Sequence, residues 1–247
     1  MRHRLMRLLN ALISSELRPL IVMGLIALGL WAFISLAGAV AKGNVLAFDR
    51  DILLAMRNHA DLNDPIGSAQ IEELARDVTA LGGVGVLSFI TLSVAGYLLL
   101  IRKYRTMLLI LIAIGGGALL TTLLKGIYAR PRPDLELHQM FVVSASFPSG
   151  HSMLSAVTYL TLGVLLTRLQ PHRRVKAYII GLALLLTLMV GISRVYLGVH
   201  WPTDVLAGWV AGCVWALLCY FAARRLQRRG QIDAADAIPP LDTDTER

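Results

Sequence analysis

Long apolar runs alternate with short polar segments along almost the whole chain of 247 residues. A helix that crosses a bilayer needs about 20 apolar residues, because each residue adds only about 1.5 Å of length. Six runs approach or reach that length, and their interiors carry no charged side chain. The pattern predicts membrane-spanning helices over residues 20–41, 79–101, 107–124, 153–169, 177–192 and 205–223.

The polar remainder divides the chain into three parts. Residues 1–19 form a basic segment, residues 20–223 hold the six runs, and residues 224–247 form a polar tail that we expect to be disordered. The first run follows a long basic leader and has full membrane length. This favours an uncleaved anchor over a cleaved signal peptide.

A long loop, residues 42–78, separates the first two runs. Within it, residues 49–57 and 70–81 resemble short amphipathic helices that lie on the membrane surface. An ordinary ordered loop is the alternative, because it fits the same periodicity.

Composition agrees with this division and fixes the class of protein. The chain is 56% hydrophobic and 16% charged, with a mean hydropathy of +0.63. A transmembrane barrel would show short segments of alternating polarity, which the sequence lacks. We therefore predict an all-α polytopic membrane protein, a bundle of six transmembrane helices with short surface helices in the first outer loop.

The distribution of Lys and Arg predicts the orientation of the bundle. With the N-terminus inside, the inner segments hold 15 Lys and Arg, the outer segments hold 8, and Arg247 ends the tail. Since these residues accumulate on the cytoplasmic side, we expect a protein of the cell membrane with both termini in the cytoplasm. The net charge of +8 then belongs to membrane edges, which excludes a nucleic-acid partner.

The first polar segment of interest, residues 125–133, directly follows the third run. It carries three cations within eight positions: Lys125, Arg130 and Arg132. The two prolines of this segment stiffen the backbone and can hold the cations in a fixed geometry. Anchoring of lipid headgroups by basic side chains is the alternative.

The second polar segment, residues 146–152, directly precedes the fourth run. Free N–H groups at a helix N-terminus bind anions, and Gly150 lets the backbone approach such an anion closely. Ser149 adds a hydroxyl donor and His151 adds a titratable imidazole. A plain serine-capped helix start is the alternative.

The third polar segment, residues 193–204, joins the last two runs and begins with a cation at Arg194. Asp204 follows His200 by four positions, so its carboxylate can reach one imidazole nitrogen and leave the other lone pair free. Pro202 suits the first turn of the next helix. A histidine oriented in this way is a nucleophile or a base. A structural His–Asp pair that caps the helix is the alternative.

All three segments are predicted on the outer face of the membrane. Together they supply several cations, a helix N-terminus, two histidines and one carboxylate. Phosphoryl transfer needs this combination of charge stabilisation, positioning, a nucleophile and an acid.

In this combination the chain resembles the type 2 phosphatidic acid phosphatase superfamily, whose membrane members are lipid phosphate phosphatases. The family pattern is Lys-x6-Arg-Pro, then Pro-Ser-Gly-His, then Ser-Arg-x5-His-x3-Asp. Every fixed position is matched in order, and the resemblance closely covers residues 125–204. The matching residues are Lys125 with Arg132-Pro133, Pro148-Ser149-Gly150-His151, and Ser193-Arg194 with His200 and Asp204.

The resemblance implies a role for each matching residue. His200 attacks phosphorus and forms a phosphohistidine, Asp204 orients His200, and His151 protonates the leaving group and then activates water. Arg130 adds a cation to this neighbourhood but is not a family position. The other matches hold the phosphoryl oxygens: Lys125, Arg132, Ser149, Gly150 and Arg194.

No metal or other cofactor is expected. Three cations neutralise the phosphate, and Asp204 is the only acidic residue in the three segments, whereas Mg²⁺ prefers several oxygen ligands. Zinc held by His138, His151 and His200 is the alternative.

The predicted function is hydrolysis of a lipid phosphate or diphosphate that reaches the site from the bilayer. Undecaprenyl diphosphate, phosphatidic acid and phosphatidylglycerol phosphate are the candidate substrates. A lipid phosphotransferase with the same intermediate is one alternative. A non-enzymatic lipid-binding or transport protein is another, although transport would favour charged residues inside the spans. A vanadate-dependent peroxidase shares the motif, but those relatives are soluble. The sequence yields no prediction of oligomeric state.

Overall fold

The computed structural model of the protein describes residues 2–133 and 145–228, and within them eight α-helices account for most of the chain. Helices suit a bilayer because they satisfy their backbone hydrogen bonds internally. In chain order they are α1 (Arg2–Ala41), α2 (Leu46–Ala55), α3 (Ala69–Ala80), α4 (Val84–Leu100), α5 (Tyr104–Tyr128), α6 (Gly150–Arg168), α7 (Arg173–Tyr196) and α8 (Pro202–Arg228). The predicted disordered tail falls largely outside the described residues.

Five of these helices have the length and apolar composition to cross a membrane. They are α5, α6, α7, α8 and the part of α1 from Pro19 to Ala41. Helices α3 and α4 pass the same test only as a pair, with a bend of 44° between them. The chain is therefore a multi-pass membrane protein, and the sixth span depends on this bent pair.

The second predicted span, residues 79–101, is not one continuous helix. Helix α3 ends at Ala80 and α4 begins at Val84, with two adjacent glycines between them. Glycine destabilises a helix interior, so the glycine pair favours a break here. At the break, the Tyr159 hydroxyl donates to the Leu81 carbonyl oxygen at 2.7 Å. A side chain of α6 thus satisfies a carbonyl group at the break. The prediction of one continuous helix over residues 79–101 is wrong. The apolar length of the run does not reveal the contact with Tyr159.

Two short helices occupy the first predicted outer loop. Helix α2 overlaps residues 49–57, and α3 overlaps residues 70–81. Helix α2 packs against α8 and α3 packs against α7. Leu53 of α2 is fully buried with Val195 and Val205, which fixes α2 to the end of the bundle where α7 and α8 meet. Their location on a membrane surface stays a prediction.

The other long helices extend past the apolar runs into the polar segments. Helix α5 continues to Tyr128, α6 begins at Gly150, α7 continues to Tyr196 and α8 begins at Pro202. Proline is well suited to a first helical position, because its missing N–H would have no partner there. Much of the polar chemistry is therefore held on rigid helix ends.

Helices α6 and α8 cross at very short range, and two glycines of α8 make this possible. A Cβ atom on Gly208 would lie 2.7 Å from the Ser149 carbonyl oxygen and 2.9 Å from Ser152 Cβ. A Cβ atom on Gly212 would lie 2.7 Å from Ala156 Cβ. Small residues four positions apart let helix backbones approach closely within a membrane. The crossing brings the N-terminus of α8 directly against the N-terminus of α6.

Two tryptophans of α8 anchor it to the neighbouring helices. The Trp215 indole N–H donates to the Ala113 carbonyl oxygen of α5 at 2.7 Å, and its ring fills the space beside Gly116. The Trp209 indole N–H donates to a carbonyl oxygen of α7 at 3.1 Å, and its ring fills the space beside Gly191. Helix α8 therefore contacts glycine surfaces on two further helices.

Replacing Gly208 by alanine is expected to lower the melting temperature of the detergent-solubilised protein. The added methyl group has no room between α8 and α6, and such overpacking typically costs about 1–3 kcal/mol. Gly181→Ala on α7 is the matched control, since nothing lies within 4 Å of the added atom. Equal melting temperatures for Gly208→Ala and Gly181→Ala would contradict the close crossing.

Candidate active site

Four helix ends meet at one end of the bundle: the C-termini of α5 and α7 and the N-termini of α6 and α8. The Ser149 N–H donates to the backbone carbonyl oxygen of Asp204 at 2.9 Å, which joins the start of α6 to the first turn of α8. The Lys125 ammonium group donates to the Ala145 carbonyl oxygen at 2.6 Å, which joins the end of α5 to the segment before α6. The three polar segments therefore converge on one site.

The N-terminus of α6 is capped by Ser149. The Ser149 side-chain oxygen accepts from the Ser152 N–H at 3.4 Å and lies 2.9 Å from the Ser152 hydroxyl oxygen. The serine-capped helix start, which was the alternative interpretation of this segment, therefore occurs together with the polar site. Lys125 lies beside this terminus, since its Cε atom is 3.5 Å from the Cβ position of Gly150. A cation next to a helix N-terminus gives a strongly anion-attracting surface.

His200 is 1% exposed and lies two residues before α8, whose first turn carries Asp204. Its Nδ1 atom is 3.4 Å from Asp204 Oδ2 and 3.3 Å from the Ser146 hydroxyl oxygen. On the other side of the ring, Nε2 is 3.4 Å from Nη1 of Arg132. A proton on Nδ1 would face the carboxylate and leave the Nε2 lone pair toward the guanidinium group.

Asp204 is fully buried and its carboxylate is held from several directions. Oδ2 accepts from the Trp201 N–H at 3.0 Å and from the Ser146 hydroxyl. The bond to Trp201 closes the first turn of α8, so the carboxylate caps the helix as well as facing His200. The sequence did not predict the contact between Ser146 and Asp204, because no spacing rule links these two positions.

The two arginines of the site are fixed by polar contacts to other elements. Arg132 Nη1 donates to the Val199 carbonyl oxygen at 2.5 Å. Arg194 is buried, and its Nη1 donates to the Thr79 hydroxyl oxygen at 3.1 Å. Thr79 belongs to the last turn of α3, so this helix contributes to the site a residue that the motifs do not include.

His151 is half-buried on the first turn of α6, beside the break between α3 and α4. A Cβ atom on Gly82 would lie 3.3 Å from His151 Cβ, so the break passes directly against this histidine. Lys125, Arg132, Arg194 and His200 all lie within electrostatic reach of His151. Arg132 and Arg194 therefore lie within electrostatic reach of both histidines.

Arg130 lies behind Asp204, on the far side of the carboxylate from His200. Its Nη1 donates to Asp204 Oδ1 at 2.6 Å, and its Nη2 donates to Asp49 Oδ2 at 2.7 Å. Its guanidinium carbon is 5.4 Å from the ring centroid of Trp201. The sequence placed Arg130 in the neighbourhood but had no signal for Asp49, which lies in a predicted surface helix 81 positions earlier.

The environment of His200 favours its neutral form. Burial lowers the pKa of the imidazole from 6.5 to about 3; the hydrogen bond with Asp204 opposes this, while Arg194 and Arg132 add to it. A neutral imidazole keeps the lone pair that nucleophilic attack requires. Of the alternative zinc ligands, His151 and His200 belong to this site, and His138 lies outside the described residues.

The fold and site together define a multi-pass membrane protein with a cationic, histidine-containing site at its helix ends. The family model of the PAP2 superfamily matches residues 106–228. Phosphatidylglycerophosphatase B of Bacillus subtilis is 35% identical over 160 residues, which cover 62% of this chain and 74% of that protein. The chain belongs to the PAP2 superfamily, as the motifs predicted.

Other comparisons agree with this membership. The crystal structure of a transmembrane PAP2 type phosphatidylglycerolphosphate phosphatase from Bacillus subtilis is similar with a TM-score of 0.74 and 30% identity, over 82% of this chain and 98% of that one. An undecaprenyl-diphosphatase of Sulfolobus acidocaldarius is 40% identical over 67 residues, which cover 27% of this chain and 28% of that protein. These relatives are lipid phosphatases.

The low pKa of His200 predicts a pH-dependent contribution to stability. Between the pKa of about 3 in the folded chain and 6.5 in the unfolded chain, only the unfolded state binds a proton at this residue. Stability is therefore lost as the pH falls through that window. We expect the melting temperature of the wild type to fall more between about pH 7 and about pH 4 than that of His200→Asn.

His172→Asn is the control for this comparison, because His172 is an exposed histidine at the start of α7. It should show the same pH dependence of melting as the wild type. Identical pH dependence in His200→Asn and the wild type would show that His200 is protonated alike in both states.

Proposed function

We propose that this protein is an enzyme that removes phosphate from a lipid phosphate or lipid diphosphate through a phosphohistidine on His200. The observation that carries the proposal is the geometry of this imidazole: Nδ1 faces a buried carboxylate and Nε2 faces the Arg132 guanidinium group. A phosphoryl oxygen bound to Arg132 would bring phosphorus toward the Nε2 lone pair. Membership of a lipid phosphatase family supports the same reaction.

In the first half-reaction, Nε2 of His200 forms a bond to phosphorus as the bond from phosphorus to the lipid oxygen breaks. Asp204 accepts a hydrogen bond from Nδ1 and stabilises the positive charge that develops on the ring. The leaving oxygen takes a proton from His151. The negative charge of the bound phosphoryl group favours the protonated form of His151 that this step needs.

In the second half-reaction, His151 accepts a proton from water as the water oxygen attacks phosphorus. The bond from phosphorus to Nε2 breaks, inorganic phosphate is released, and His200 returns to its neutral form. One residue thus acts as the acid in the first step and the base in the second.

Charge stabilisation is the main contribution of the remaining site residues. Lys125, Arg132 and Arg194 neutralise the phosphoryl oxygens, and the Gly150 N–H and Ser149 hydroxyl donate to them at the N-terminus of α6. Fixed cations and helix amides need no reorganisation as the transition state forms. These groups supply the positive charge that a metal provides in many phosphoryl-transfer enzymes.

The substrate class follows from where the site lies. It is at the end of a bundle of apolar helices, so a lipid tail can stay in the bilayer while its phosphate enters the site. Phosphatidylglycerol phosphate, phosphatidic acid and undecaprenyl diphosphate are the substrates we propose to test. The distribution of Lys and Arg supports a site on the outer face, with both termini in the cytoplasm.

Replacing His200 by alanine is expected to lower phosphate release from a lipid phosphate by about a thousandfold or more, because the nucleophile is lost. Purified protein in detergent would be tested against the three lipids, with inorganic phosphate measured over time. His172→Ala is the matched control, since this exposed histidine lies at the start of α7, away from the end of the bundle where the site is.

Brief incubation with phosphate-labelled lipid, followed by alkaline quench, should leave acid-labile label on wild-type protein and none on His200→Ala. Wild-type rates in His200→Ala would rule out the mechanism. Adding alcohol acceptors to the same reaction distinguishes a phosphotransferase, which would form a phosphorylated acceptor in place of free phosphate.

Activity is expected to persist when EDTA is added, because Lys125, Arg132 and Arg194 carry the charge stabilisation. Phosphate release would be compared before and after extensive chelation, and again after Mg²⁺ is restored. Complete loss of activity with EDTA and its recovery with Mg²⁺ would contradict the proposal that these three cations provide the charge stabilisation.

A further inference from the structure

Helix α2, in the first outer loop, contributes a second buried carboxylate to the site. Asp49 is fully buried, although Phe48, Arg50 and Asp51 around it are exposed. An isolated buried carboxylate is strongly unfavourable, so its partners identify its role. Leu53, one turn further along the same helix, is fully buried against α7 and α8 and holds this face of α2 in place.

Among the described residues, the hydrogen bonds of the Asp49 carboxylate lead to Arg130 and to the first turn of α8. Oδ1 accepts from the Thr203 N–H at 2.8 Å. Oδ2 accepts from the Thr203 hydroxyl at 2.6 Å and from Arg130 Nη2 at 2.7 Å. Asp49 therefore caps α8 from a different helix, at the end where the helix dipole favours negative charge.

Arg130 connects this carboxylate to Asp204. One nitrogen of its guanidinium group bonds Asp49 and the other bonds Asp204 Oδ1, at 2.7 and 2.6 Å. The planar fork of arginine can hold two carboxylates at once in a fixed geometry. The Thr203 hydroxyl oxygen completes the cluster by accepting from Arg130 Nη1 at 2.9 Å.

We propose that Asp49 and Arg130 are positioning residues that set the orientation and the charge of Asp204, and through it the reactivity of His200. The inference rests on the proposed function for its kinetic consequence. Two carboxylates share one guanidinium group, so one net negative charge remains in the cluster. Without Asp49, the charge of Arg130 is balanced by Asp204 alone, and Asp204 stabilises a developing imidazolium less well.

The decisive variant is Asp49→Asn, which keeps the size of the side chain and removes its charge. We expect kcat to fall about tenfold to a hundredfold, as for a small displacement of a catalytic group. KM should stay within about twofold, because Asp49 does not contact the substrate. Asp51→Asn, an exposed aspartate two positions along the same helix, is the matched control and should behave as the wild type.

A second measurement reports the tautomer of the His200 imidazole directly. In protein labelled with ¹⁵N at its six histidines, the His200 signals are those lost in His200→Ala. The wild type and Asp51→Asn should show a proton fixed on Nδ1, whereas Asp49→Asn should show a mixture of tautomers. A fall in kcat without a change in these signals would assign Asp49 to structure alone and overturn the proposal. So would wild-type kcat in Asp49→Asn.

Thr203→Val tests the same cluster if Asp49→Asn does not fold. It removes only the hydroxyl that bonds both Asp49 and Arg130, while their direct ion pair remains. It should therefore give a smaller loss of kcat that Thr203→Ser restores. Equal activity of Thr203→Val and Thr203→Ser would count against the proposal. If the wild type releases no phosphate from any lipid, the proposed function fails, and the imidazole signals still decide whether Asp49 orients His200.

Discussion

The close crossing of α6 and α8 is the constraint on which the site depends. Gly208 and Gly212 let α8 approach the backbone of α6, and the Ser149 N–H then reaches the Asp204 carbonyl oxygen at 2.9 Å. This contact brings the N-terminus of α6 next to His200, which lies two residues before α8. Neither helix has the complete site, so the site is assembled by the packing of the two helices.

The sequence was sufficient for the parts of the site whose spacing has a local physical meaning. Asp204 follows His200 by four positions, and Ser149 precedes an apolar run in the position of a helix cap. These local rules predicted which residues lie at helix ends. The family pattern then related segments that are far apart in sequence, and the structure brings those segments to one end of the bundle.

The sequence could not predict contacts between residues of different elements, because no fixed spacing in the chain relates such residues. Asp49 appeared as part of a surface helix, because periodicity shows which face is apolar but not which buried group an acid will meet. Ser146 and Thr79 were missed for the same reason. The break after Ala80 was missed because a hydropathy run measures apolar length, whereas the break is stabilised by a hydroxyl from α6.

The glycine surfaces around α8 bear on how this protein tolerates genetic variation. Trp215 and Trp209 fill the spaces beside Gly116 and Gly191, at positions that no motif includes. A larger side chain at either position would displace a tryptophan and, with it, the helix whose first turn carries Asp204. Inactivating changes should therefore arise deep in the bundle as well as at its polar end, and a motif search alone would overlook them.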